Sequence, residues 1–157
     1  MIRCIAVMDE KQGIADDHGI PWQGKLPTDI RYYRRKSRGG TVLMGEVMYN
    51  ELTRPMPGRR NLVLALAPTL RPGFEKVKDL ATLLQNPPEN FWVLGGASIF
   101  EQTLDAADEL YLTQIEGDFG CTKFFPEFKD TFELAEESQP QIESGITFRF
   151  QIWKRKT

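Results

Sequence analysis

Short apolar runs alternate along this chain with segments of helical character, and that alternation restricts the fold more than any single motif does. Ile2 to Met8, Thr41 to Met44, Asn61 to Leu66, Phe91 to Leu94 and Glu109 to Ile115 read as strands, with a short one at Lys76-Val77-Lys78. Thr28 offers an N-cap to a helix that runs through Lys36 and is ended by Gly39-Gly40. Asp29 in its first turn and the bases in its last suit the helix dipole. Further helices are expected from Glu46 to Leu52, from an Asp79 cap through about Gln85, and from Ile99 to Leu104. Strands separated by helices return in the same sense and pair mostly in parallel. Phe132 to Glu137 and Ile146 to Trp153 follow one another with period-two texture, which predicts an antiparallel C-terminal edge. The expectation is one α/β domain over 1–157, a mostly parallel sheet of about eight strands with about four flanking helices.

A chain of 157 residues, 41% hydrophobic and 27% charged, is large enough to bury a core. Its net charge of −2 gives no field that would draw nucleic acid or an anionic membrane. No segment reaches the roughly 20 apolar residues of a membrane span. The opening apolar stretch is too short for a signal peptide and is closed by Asp9, Glu10 and Lys11, which predicts a cytoplasmic protein. Cys4 and Cys121 lack CxxC spacing and His18 is the single histidine, so reduced thiols and no metal site are expected. Nothing demands more than a monomer.

Chemistry has three places to sit. Asp9 to Pro27 is a long stretch without periodicity, and such a stretch in a compact domain is usually functional. Arg54-Pro-Met-Pro-Gly-Arg59 cannot be regular structure. Gly95-Gly96, between a strand and a helix, has the geometry that cradles a phosphate on backbone N–H groups, although a bare Gly-Gly is also an ordinary tight turn.

Taken in order, Ile-Pro-Trp (20–22), Leu-Pro-Thr-Asp (26–29), Val-Leu-Met-Gly (42–45), Arg-Pro-Met-Pro-Gly-Arg (54–59), Val-Leu-Gly-Gly-Ala (93–97) and Leu-Tyr-Leu-Thr (110–113) resemble the successive signatures of dihydrofolate reductases. Phe-Phe-Pro (124–126) is also similar, and the resemblance runs from Met1 to Trp153. It implies hydride transfer from a nicotinamide cofactor to C6 of dihydrofolate, with a proton delivered to N5. One carboxylate can grip the amidine-like edge of a pterin with two parallel hydrogen bonds, and the resemblance gives that place to Asp29. An Asp29 facing Ile5, Ile30, Tyr33, Leu52 and Leu94 is expected to hold its proton more tightly than an exposed acid. The resemblance implies that Thr113 orients this carboxylate, that Trp22 covers the pterin, and that the loop around Gly13 to Asp16 is a mobile lid. The family usually has a glycine where Ala15 stands. Ala6 and Arg54 join the substrate side, and Arg59 matches the arginine that holds the carboxylate of the glutamate tail. The basic run Arg31, Arg34, Arg35, Lys36 and Arg38 lies on the helix that the resemblance places beside that tail, and reads either as a solvated helix face or as an attractor of folate polyglutamates. A reductase of the riboflavin pathway shares this fold, but it needs neither the carboxylate at 29 nor Arg59.

For the cofactor the resemblance implies NADPH, held among Val7, Ile14, Gly45, Glu46, Val47, Met48, Leu64, Lys78, Gly95, Gly96, Ala97, Ser98, Ile99, Phe100 and Gln102. Here the chain departs from the pattern. Glu46 stands in a basic position, Met48 replaces a threonine, Ala65 lacks a hydroxyl and Ser98 replaces a cation. An acid repels a 2′-phosphate yet accepts a hydrogen bond from a ribose 2′-hydroxyl. The expectation is a weakened NADPH preference, with NADH usable.

Overall fold

A computed structural model describes residues 1–157. In chain order the strands are β1 (Ile2–Met8), β2 (Gly13–Ala15), β3 (Thr41–Gly45), β4 (Arg60–Leu64), β5 (Phe74–Lys76), β6 (Phe91–Gly95), β7 (Glu109–Ile115), β8 (Lys123–Phe124), β9 (Phe132–Glu137), β10 (Gln141–Glu143) and β11 (Ile146–Arg155). The helices are α1 (Pro27–Ser37), α2 (Glu46–Glu51), α3 (Leu80–Gln85) and α4 (Ala97–Thr103). Nine strands form one sheet in the order β10-β11-β7-β1-β6-β3-β4-β5, with β9 also paired to β11, while β2 and β8 pair separately. Pairing is parallel from β7 across to β5 and antiparallel wherever β11 takes part.

The α/β sheet is the one the alternation predicts. It exceeds the expected eight strands through β10, whose three residues carry no apolar period. The central strands β1, β3 and β6 are buried on both faces, and side chains that alternate along them feed two cores. Cys4, Leu43 and Val93 join Phe100 of α4 on one face. Ile5, Val42, Met44 and Trp92 join Tyr32 of α1 and Tyr49 of α2 on the other.

Two local expectations are corrected. The short strand expected at Lys76-Val77-Lys78 lies two residues earlier, because Phe74 is its buried anchor and packs edge-on against Tyr49 at 4.8 Å. Thr28 does not cap α1. The N-cap position is Leu26, which has no side-chain acceptor, and Pro27 opens the helix, where a missing N–H costs nothing. Thr28 instead gives its backbone N–H (3.1 Å) and its hydroxyl (2.5 Å) to the carboxylate of Glu143 at the end of β10. The cap of α1 thus comes from 115 residues away. No helix is long and apolar enough to cross a membrane.

Removal of that remote cap in Glu143→Ala is expected to lower the unfolding free energy by about 1–2 kcal/mol, read from urea melts. An unchanged midpoint would show that water replaces the carboxylate without loss.

Candidate active site

The parallel strands end on one side of the sheet, and there a cleft of about 1360 Å³ opens. Openings outside the carboxyl ends of parallel strands are where α/β sheets place ligands, because the flanking connections diverge there. β1 supplies Ile5, Ala6 and Val7 to the floor, and the ends of β3, β4 and β6 supply Gly45, Leu64 and Leu94. The α1 wall consists of Asp29, Ile30, Tyr33 and Arg34, a set spaced for one helix face.

Asp29 is buried, 8% exposed, and its carboxylate accepts a 2.6 Å hydrogen bond from the Thr113 hydroxyl of β7. Burial pushes its pKa up to about 6. The Thr113 bond opposes this, and the negative charge of Glu143 adds to it. The carboxyl therefore shifts from mostly protonated to mostly ionised across the range just below neutrality. Trp22, 4% exposed, lines the cleft and meets Phe119 edge-on at 5.4 Å. Ile5, Ala6, Ile30, Tyr33, Leu52 and Leu94 surround the same end.

Val7, Ile14, Gly45, Glu46, Val47, Met48, Leu64, Gly96, Ala97, Ser98, Ile99, Phe100 and Gln102 all line the remainder of the cleft. Gly95 lies just behind it. Its φ is +104° and a Cβ there would meet the Phe100 ring at 2.6 Å, so only glycine fits. The Gly95–Gly96 peptide is cis. The Glu46 carboxylate accepts the backbone N–H of Leu66 at 2.5 Å, and Gln102 donates to the Ser98 hydroxyl at 3.1 Å.

Three expected residues stand elsewhere. Lys78 lies in a separate shallow hollow with Lys76, Asp79 and Thr82, because β5 ends at Lys76 and the chain then turns into α3. Arg54 is exposed outside the cleft lining. Arg59 also lies outside it, donating to Ser37 Oγ (2.9 Å), Pro57 O (2.6 Å) and Arg34 O (2.5 Å) at the far end of α1. The cleft adds residues that the motifs did not single out. Asp17, Glu51 and Glu101 are acids and Lys123 is a cation, and they stand in the lining alongside Asp16 of the Gly13–Asp16 loop and Arg34 of the basic run on α1. Lys123 immediately precedes Phe-Phe-Pro (124–126), and that neighbourhood was its only signal.

The Asp9–Pro27 stretch contains more regular structure than its sequence implies. Ala15 of β2 pairs with Lys123 of β8. Buried Asp9 accepts from the backbone N–H groups of Lys11 (2.9 Å), Gly13 (2.8 Å) and Phe119 (3.0 Å), which fastens the stretch at its base.

A family model described as dihydrofolate reductase matches residues 1–155. The chain belongs to the dihydrofolate reductase family. It is 30% identical to the dihydrofolate reductase of Bacillus subtilis over 99% of this chain and 95% of that one. It is 32% identical to that of Staphylococcus aureus over 88% of this chain and 87% of the relative. Among solved structures, a dihydrofolate reductase from Enterococcus faecalis complexed with NADP(H) and RAB-propyl superimposes with a TM-score of 0.87. It is 23% identical, covering 100% of this chain and 97% of the other, and the likeness shows the shared fold.

The burial of Asp29 has a thermodynamic signature. The folded chain holds this proton more tightly than the unfolded one, about 6 against 3.8, so ionising Asp29 costs stability as pH rises through that window. Below it the cost is absent; above it the cost is complete. Asp29→Asn is therefore expected to stabilise the protein at pH 7 by up to about 3 kcal/mol, and the gain should vanish in melts near pH 4. An equal effect at both pH values would mean that Asp29 is not desolvated.

Proposed function

We propose that this chain reduces 7,8-dihydrofolate to 5,6,7,8-tetrahydrofolate, serving one-carbon metabolism, with NADPH as first-choice cofactor and NADH usable. The observation that carries this reading is the buried Asp29 carboxyl, fixed by Thr113 in a cleft of about 1360 Å³, larger than a single drug-sized ligand needs. A bound nicotinamide supplies the hydride. The rest of the reading concerns the chain's own groups.

Asp29 orients the pterin by its amidine-like edge, and Thr113 holds the carboxylate in the plane this requires. With a proton affinity raised to near the working pH, Asp29 favours protonation at N5, with the proton arriving through a water that Trp22 helps to order. Ile5, Ile30, Tyr33, Leu52 and Leu94 exclude other water from that end. Arg59 uses three of the five guanidinium N–H donors on its own chain, and the remaining two suit the carboxylate of the glutamate tail.

The dinucleotide fits the cleft unevenly. The inner part is apolar, with Ala6, Val7 and Ile14 in its lining. At the adenosine end, Glu46 with Met48, Ala65, Leu66 and Ser98 offers neither a cation nor a cluster of hydroxyls for a 2′-phosphate. The Leu66 N–H holds the Glu46 carboxylate in place, where it repels a phosphate and can accept from a ribose hydroxyl.

Dihydrofolate-dependent loss of reduced-nicotinamide absorbance tests the reaction. kcat/KM with NADPH is expected to exceed that with NADH by less than about a thousandfold, or ~4 kcal/mol, and a larger ratio would refute the Glu46 reading. Asp29→Asn is expected to lower reduction by about 10²–10⁴-fold and to leave a residual rate without acid dependence. Undiminished activity of that variant at neutral pH would remove Asp29 from the reaction.

A further inference from the structure

The cleft is short of positive charge. Its titratable lining is mainly carboxylates, with Arg34 and Lys123 as its only lysine or arginine side chains. A nicotinamide dinucleotide carries a negative diphosphate between its two nucleosides, and an acid-lined cleft repels it unless a cation stands at that point. Arg34 is committed to the other end, on the α1 face that presents Asp29, Ile30 and Tyr33. Lys123 stands on β8, opposite Ala15. Its ladder continues past the strand through the Phe125 N–H to Gln12 O at 2.9 Å. Side chains two residues apart on such a ladder share a face. Phe125 packs on Phe100 of α4, ring centroids 4.9 Å apart, so the strand carrying Lys123 is seated against the helix that brings Ser98 and Gln102 to the cleft. No carboxylate pairs with the Lys123 ammonium, which is exposed.

We propose that Lys123 is the cation that holds the cofactor's diphosphate, an inference that rests on the dinucleotide reading above. A lysine acts here as a mobile point charge on a flexible stem and needs no fixed geometry. The diphosphate is common to NADH and NADPH, so Lys123 contributes equally to both, whereas Glu46 acts on the adenosine ribose alone. The contact is open to solvent and weakens as salt screens it.

Isothermal titration of the whole protein with NADPH, NADH and dihydrofolate tests this, comparing wild type, Lys123→Gln and Lys123→Arg at low and high salt. Lys123→Gln is expected to weaken both dinucleotides by about tenfold at low salt. The difference should close at high salt, Lys123→Arg should restore most of the affinity, and dihydrofolate should bind all three proteins alike. Unchanged dinucleotide affinity in Lys123→Gln would overturn the assignment. So would a loss confined to NADPH, which would place the lysine at the 2′-phosphate, or an equal loss for dihydrofolate, which would indicate a distorted lid. A wild type that binds dihydrofolate but neither dinucleotide would sink the cofactor reading itself and this inference with it.

Discussion

The 2.6 Å hydrogen bond from the Thr113 hydroxyl to the Asp29 carboxylate joins two elements that are 84 residues apart in sequence. Thr113 belongs to β7, which is bonded to β1 on one side and β11 on the other, so it is among the least movable positions of the sheet. Asp29 belongs to α1, whose first turn has no local cap and is held by Glu143 from β10. The carboxyl is thus set between a rigid strand and a helix start that the hairpin grips from outside. Burial makes the position costly for a charge, and the Thr113 bond limits that cost. Packing holds Asp29 in place, and packing also raises its proton affinity.

The two ends of the cleft are specified by different physics. The end proposed to take the pterin presents one desolvated carboxyl, where a wrong ligand would leave buried polar groups unpaired and be rejected strongly. The end proposed for the adenosine is open, acid-lined and built from exposed apolar side chains such as Val47 and Leu66. Contacts there are screened and individually weak. On the proposed reading, a chain built this way is expected to discriminate sharply among pterins and loosely among nicotinamide dinucleotides.

Much of this was legible in the sequence. β7 and β9 run over the expected residues, since a strand bounded by charges or turns has unambiguous ends. The Asp79 cap is present, its carboxylate accepting from the Thr82 N–H at 3.4 Å, because the acceptor is local. Thr28 departs from its expected role for the converse reason: its donors are satisfied by Glu143 far along the chain, which no local pattern reveals. Lys78 was misplaced with β5. That strand is positioned by Phe74 against Tyr49, a tertiary contact that the alternation of lysines around Val77 conceals. The Asp9–Pro27 stretch hides β2, whose partner β8 holds only two residues. Lys123 is a lone lysine with no spacing to mark it, and only the fold brings it to the cleft.

The role proposed for Asp29 depends on how tightly it holds its proton, and the direct measurement is a carboxyl titration. In ¹³C NMR of aspartate-labelled protein, the resonance missing from Asp29→Asn identifies the group. This resonance is expected to titrate with a midpoint near 6. A midpoint near the ordinary aspartate value of 3.8 would contradict the role proposed for Asp29, because the carboxyl would then be solvated and already ionised where the proposed protonation of N5 calls on it.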